Sequence, residues 1–123
     1  MTGRVLVVDD DRAITLVLAQ ILAADGLEVE TAFDGLAALD KLERGAFDVV
    51  VSDLRMPKLD GLGLYHALAE RHPTLARRVI FMTGDVLDRD ARTVLERGGL
   101  PMLVKPFDIG ELRRVVRASL AGS

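Results

Sequence analysis

Cysteine is absent from the 123 residues, which removes a disulfide framework, a thiolate zinc site and a cysteine nucleophile together. Positive charge is not in excess: 16 lysines and arginines stand against 19 aspartates and glutamates. The net charge of -3 argues against nonspecific attachment to nucleic acid. Long apolar runs are missing too. The longest, Ala13 to Ala24, is broken by Thr15 and Gln20 and falls short of the ~18 residues a spanning helix needs, so no membrane insertion is expected. The N-terminus carries one arginine before a short apolar run and does not read as a signal peptide. Low-complexity tracts, internal repeats and linkers are also lacking, and the chain reads as one domain, residues 1–123. At this length roughly two-thirds of the unfolded surface can be buried, enough for a core without a disulfide or structural metal. These features fit a cytoplasmic setting.

What is present is an alternation of short apolar runs and amphipathic stretches. Arg4 to Asp9 reads as a buried strand, short, β-branched and continuous. Ile14, Val17, Leu18, Ile21 and Leu22 follow at helical spacing, with Asp10 or Asp11 placed to cap that helix and Gly26 to end it. Leu27 to Phe33 is a second strand, Gly35 to Arg44 a helix with Gly45 beyond its end, and Asp48 to Asp53 the third and most apolar strand. Pro57 and the turn Asp60-Gly61 precede a third helix, striped by Leu62, Tyr65, Leu68 and Ala69 and terminated by Pro73. Arg78 to Thr83 is the fourth strand, and Asp88 to Arg97 a fourth helix ended by Gly98-Gly99. Met102 to Val104 is a short fifth strand. Ile109, Leu112, Val115, Val116 and Leu120 mark a fifth helix behind an Asp108 cap. Five βα units predict an α/β fold: a doubly wound, parallel five-stranded sheet with helices on both faces. The common order for five such units is 2-1-3-4-5, which makes strands 1 and 3 neighbours at the switch point.

Four of these strands stop at a polar residue: Asp9 and Asp10, Asp53, Thr83 and Lys105. The carboxyl ends of parallel strands share one edge, where ligands bind. Three carboxylates, a hydroxyl and an ammonium should therefore meet. Carboxylates that close repel unless a cation sits among them, which points to a hard divalent metal, Mg²⁺ being suited to oxygen ligands. A phosphate on that metal would find further donors in Lys105 and Thr83, and Gly84 leaves room for it. Asp53 would be both metal ligand and nucleophile, forming an acyl phosphate. Metal and lysine would neutralise the transferring phosphoryl group.

With these residues in place the chain resembles, over essentially its full length, the receiver domain of two-component response regulators. Val7-Val8-Asp9-Asp10-Asp11 looks like the family's acidic strand end, and Ser52-Asp53-Leu54-Arg55-Met56-Pro57 with Asp60-Gly61 like its phosphoacceptor segment. Thr83-Gly84 looks like the switch hydroxyl and its small neighbour, Lys105-Pro106-Phe107 like the lysine segment. Each is weak alone; all four in order are specific. The resemblance implies a flavodoxin-like (βα)5 fold and a phosphorelay switch. Asp53 would take a phosphoryl group from phosphohistidine on a sensor histidine kinase or histidine phosphotransfer protein. The resemblance also implies that Asp10 ligates Mg²⁺ directly, Asp9 mainly through water, and the Arg55 backbone carbonyl as a further ligand. Thr83 would swing toward the phosphoryl group, Lys105 would pair with it, and the Lys105-Pro106 bond would be cis. Such a chain catalyses its own phosphorylation and dephosphorylation rather than acting as a conventional enzyme. The altered surface would lie around the fourth helix, fifth strand and fifth helix, where a homodimer is an option. The chain could stand alone, belong to a longer regulator or be the receiver of a hybrid histidine kinase. Phe81 to Asp85 with Gly99-Leu100-Pro101 looks most like the hybrid-kinase case.

Competing readings fare worse. A dehalogenase-type phosphatase wants a second aspartate two residues past the nucleophile, where Arg55 stands. A mononucleotide or flavin binder wants a glycine-rich or hydroxyl-rich loop after the first strand, where three aspartates stand. A degenerate receiver, acting only as an interaction or dimerisation module, is the remaining alternative, but no site residue is missing. Taken singly, the aspartates would read as caps and Lys105 as a solvated charge; their joint occurrence decides. His66 and His72 read as surface residues, the fourth-helix charges as a solvated face, and Arg113, Arg114 and Arg117 as solvent-facing partners of the last helix dipole.

Two departures from the family pattern stand out. Met102 occupies the place of an aromatic residue that usually rotates with the threonine, and a methionine repacks without a defined rotamer flip. Arg55 and Asp85 follow Asp53 and Thr83 by two residues and could pair across the site mouth, in the path of the hydrolytic water. The Arg55→Ala, Asp85→Ala double variant is therefore expected to lose its acyl phosphate faster than the native chain, measured by time-resolved intact mass. An unchanged lifetime would remove the gating role.

Overall fold

The computed structural model describes residues 2–84 and 89–122. Five parallel strands, β1 (Arg4–Val8), β2 (Glu28–Ala32), β3 (Val49–Asp53), β4 (Val79–Thr83) and β5 (Met102–Val104), form one sheet of order β2-β1-β3-β4-β5. This is the common order for five βα units and the flavodoxin-like arrangement that the resemblance implied. The helices are α1 (Arg12–Ala24), α2 (Gly35–Arg44), α3 (Gly61–Arg71), α4 (Pro73–Ala76), α5 (Arg89–Gly98) and α6 (Ile109–Ala121). The fourth and fifth helices of the sequence reading are α5 and α6. The added α4 is a single turn: Pro73 ends α3 and, with its φ already suited to a first helical position, opens the next turn.

Side-chain alternation along the strands divides the core in two. Leu6, Val8, Val50 and Phe81 face one layer with Leu42, Leu64, Leu68 and Leu95; Val5, Val7, Val51, Ile80 and Met82 face the other with Leu18, Leu22, Leu112 and Val116. The three central strands are buried on both faces, which is why each carries a continuous apolar run. The edge strand β2 instead carries Glu28 and Glu30, and β5 is three residues long, so neither edge offers a long apolar ladder.

Caps fall where short polar residues precede apolar runs. Asp11, Asp34, Asp60 and Asp108 each accept a hydrogen bond from the backbone N–H three residues on. Gly26 follows the Asp25 cap of α1 at φ 94, a left-handed position that glycine takes without strain.

Three expectations about faces need correction. In α1, Val17 is 53% exposed, and the buried positions are Thr15, Leu18 and Leu22. Thr15 is inward because its hydroxyl satisfies carbonyls at the start of the helix. In α3 the buried stripe is Gly61, Leu64 and Leu68, with Ala69 exposed. Arg114 and Arg117 are exposed, but the Arg113 Nε donates to Asp25 Oδ2 at 2.7 Å, and none of the three lies in the last turn of α6. His66 is exposed and His72 half-buried at the end of α3. Asp85 and Asp88 lie outside the described residues, so the proposed Arg55–Asp85 pair does too.

Phe81 is the largest fully buried side chain and packs its ring edge-on against Tyr65, with centroids 6.1 Å apart. Phe81→Ala is expected to cost about 3–5 kcal/mol, a large share of the roughly 5–15 kcal/mol available to a domain. Urea unfolding followed by circular dichroism checks it; a loss below about 1 kcal/mol would show that the layer refills the void.

Candidate functional site

The parallel register does the positioning. Val8 pairs with Ser52, Asp53 with Met82, and Thr83 with Val104, so the residues at or just beyond these strand ends emerge side by side. The ladder continues past β5, where the Lys105 N–H donates to the Thr83 carbonyl at 2.7 Å. The Lys105-Pro106 peptide is cis, as the resemblance implied.

One ligand oxygen from each of Asp9, Asp10 and Asp53 lies within 4.8 Å of the other two. Asp9 is buried, with 1% exposure, and both its oxygens are engaged: Oδ1 accepts from the Asp11 N–H at 3.0 Å and Oδ2 from Lys105 Nζ at 2.9 Å. Asp10 is exposed. Asp53 is buried, and its Oδ2 lies 3.5 Å from Lys105 Nζ. Lys105 thus bridges the two buried carboxylates. Thr83 is buried, and together with Asp53, Arg55, Gly84 and Lys105 it lines one open cleft. Among the described residues, a Cβ added at Gly84 would meet no atom within 4 Å.

All five sequence-predicted strand-end residues therefore converge, and Arg55 lines the same cleft. The donor set is entirely oxygen, with two buried carboxylates and one exposed, which suits a hard divalent cation that keeps part of its water.

The electrostatics bear the mark of crowding. Burial first, and the charge of Asp9 second, push the Asp53 carboxyl above its ordinary value against the pull of Lys105. For Lys105, burial alone would lower the value, but the Asp9 hydrogen bond and the charges of Asp53 and Asp9 raise it overall.

Residues that the sequence reading did not assign to the site hold it in place. Thr15 Oγ1 donates to the Asp11 carbonyl at 2.8 Å and lies 3.1 Å from the Asp9 carbonyl, tying the acidic strand end to the first turn of α1. The Ser52 hydroxyl donates to the Asp53 carbonyl at 2.9 Å. A Cβ at Gly61 would overlap the Asp53 carbonyl oxygen and stand 2.9 Å from the Leu54 Cα, so α3 begins directly on the backbone of the buried aspartate. A Cβ at Gly35 would overlap the carbonyl oxygen of Leu59. On the same side, Lys58, at φ 71, reaches Asp34 Oδ2 at 3.6 Å. The segment from Asp53 to Gly61 is thus seated on α2 at one place and on α3 at another. The dipeptides Asp34-Gly35 and Asp60-Gly61 were the available sequence signal, but they read equally well as ordinary helix starts.

The model of the response regulator receiver domain family matches residues 5–117. Among curated proteins, the chain is 41% identical over 120 residues to the DNA-binding transcriptional regulator NtrC of Escherichia coli K12, covering 97% of this chain and 25% of that protein. The chain thus spans about a quarter of the length of that relative. Among solved structures, a CheY-like response regulator receiver domain protein from Methanospirillum hungatei superposes with a TM-score of 0.89 at 27% identity, covering 98% of this chain and 95% of that one. The response regulator TrrA from Thermotoga maritima, solved in complex with Mg²⁺-BeF, superposes with a TM-score of 0.84 at 30% identity, covering 95% and 98%.

The raised Asp53 value has a definite sign in stability. Asp53 binds its proton more tightly folded than unfolded, so its contribution is fully present below the ordinary carboxyl pKa and is lost as pH rises through the raised folded value. In EDTA at pH 7, Asp53→Asn is therefore expected to melt higher than the native chain, on the order of a few degrees, with the gap closing toward pH 4. Thermal unfolding across that range checks it. A lower melting point at pH 7 would mean that the Lys105 pair outweighs burial and repulsion.

Proposed function

The chain belongs to the response regulator receiver domain family, and on that premise we propose that Asp53 is its phosphoacceptor and that Mg²⁺ is the cation of the acidic cluster. A receiver domain is a phosphoacceptor switch that works with histidine kinases, and no member of the acidic cluster is missing. The reading of a degenerate module without phosphorylation therefore has nothing in its favour. One observation carries the assignment. Of the two buried carboxylates in the cluster, Asp53 lines the open cleft with Thr83, Gly84 and Lys105, whereas Asp9 does not line it and has both its oxygens engaged.

The residues divide the work. Asp9, Asp10 and Asp53, with the Arg55 carbonyl, would hold Mg²⁺, which supplies charge neutralisation for phosphoryl oxygens. The Mg²⁺-BeF complex of the Thermotoga neighbour supports that choice of metal. An Asp53 oxygen attacks the phosphorus of a phosphohistidine. The P–N bond breaks with its electron pair going to the imidazole, which takes up a proton, and an acyl phosphate remains on Asp53. Lys105 offers its ammonium to the transferred group and Thr83 its hydroxyl. Hydrolysis by water later restores the carboxylate and releases phosphate.

Two surfaces serve the switch. Beside Lys105, an apolar groove of about 510 Å³ runs along Ile14, Val17, Leu18, Pro106 and Phe107. It gives a histidine-bearing donor protein a place to rest next to the acceptor, and it accounts for the outward-facing Val17. On the output side, Met102 packs against the layer that contains Leu95 and Leu100, so rearrangement of Thr83 would reach α5 and β5 through packing rather than through an aromatic rotation. A homodimer through α5, β5 and α6 is compatible with that route.

The test is intact mass after incubation with acetyl phosphate. One phosphoryl adduct is expected that requires Mg²⁺ and is absent in Asp53→Asn. Lys105→Ala should slow adduct formation by about 10²-fold, the scale of removing one preorganised charge stabiliser. An adduct that persists in Asp53→Asn would move the acceptor elsewhere.

A further inference from the structure

At the opposite end of the sheet from the acidic site, a cleft of about 330 Å³ opens between the turn before β4, the turn before β5 and the end of α6. Arg77, Arg78 and Arg114 line it, with the hydroxyl-bearing Thr74 and Ser119, and among the described residues no carboxylate does. Elsewhere arginines are matched to acids: Arg4 with Glu30, Arg44 with Asp40, Arg71 with Glu43 and Arg113 with Asp25. Among the described residues, none of the three cleft arginines forms an ion pair or a side-chain hydrogen bond.

Three like charges lining one cleft repel wherever they approach within the screening length of about 8–10 Å. The C-terminal end of α6 contributes roughly half a negative charge, too little to neutralise three guanidiniums. A multiply charged anion with oxygens for planar N–H forks, the geometry of phosphate, would suit such a set of donors. The walls between the charges are apolar: Pro101, Val115 and Ala118. The volume lies at the lower end of the roughly 300–1,000 Å³ typical of small-molecule sites.

We propose that this cleft is a second ligand site, which takes a phosphorylated small molecule of the nucleotide class. Its phosphates lie against Arg77, Arg78 and Arg114, and its ring lies on the Pro101, Val115 and Ala118 wall. The site shares no residue with the acidic centre, so it stands or falls independently of the phosphoacceptor reading.

The experiment is a titration of the ¹⁵N-labelled chain in EDTA, followed by amide chemical shifts, with ADP and separately with inorganic pyrophosphate. Saturable shifts are expected at Gly99, Ser119 and Gly122, with ADP binding tighter than pyrophosphate. Arg77→Ala, Arg114→Ala removes two exposed side chains without touching the core. It should weaken binding by about tenfold or more, the scale of a lost charge-assisted hydrogen bond, while Asp53→Asn leaves it unchanged. Absence of saturable shifts, shifts confined to the Asp10–Asp53 edge, equal affinity for the two probes, or undiminished binding by the double variant would each overturn the proposal.

Discussion

Two buried carboxylates at the same sheet edge repel each other, and the rest of the site is arranged around containing that repulsion. Asp9 and Asp53 bring ligand oxygens no more than 4.8 Å apart. At an effective dielectric near 20 this corresponds to roughly 3.5 kcal/mol between full charges. Lys105 offsets it from one side by reaching both. Its own position depends on the ladder bond to Thr83, hence on β5 lying next to β4. The order of strands is therefore an electrostatic requirement as well as a packing result. Moving β5 elsewhere would separate the cation from the two anions it holds.

Containment is incomplete. The Asp53 carboxyl remains above its ordinary value despite Lys105. A group that arrives with positive charge would relieve a tension already present. The surrounding backbone has little slack with which to absorb the change. Ser52 and Gly61 both press on the Asp53 carbonyl, and Gly35 fixes Leu59. Among the described residues, displacement at Asp53 therefore has its freest outlet on the Thr83 and Gly84 side, where a cleft is open.

Much of this was legible in the amino-acid order. Central strands must be apolar on both faces, and runs such as Val49-Val50-Val51 announce themselves. Because parallel strands end on one edge, the polar residue that stops each run marks the site. What escaped were features decided by distant partners. Thr15 faces inward because the Asp9 and Asp11 carbonyls need a donor, and a hydrophobic periodicity cannot register that. Arg113 pairs with Asp25 across 88 residues. The cleft of Arg77, Arg78 and Arg114 unites two turns and a helix that no local pattern connects. Pro73 carried both meanings of proline, terminator and initiator, and only one was read.

The open space at Gly84 has a practical side. A chain with no cysteine accepts a single engineered thiol as its sole reactive sulfur, and at position 84 an added Cβ would meet no atom of the described residues within 4 Å. A dye attached there would sit at the rim of the site without displacing the packed core. Its fluorescence would report on local polarity at the cleft that Asp53, Thr83 and Lys105 line, turning the domain into its own optical probe.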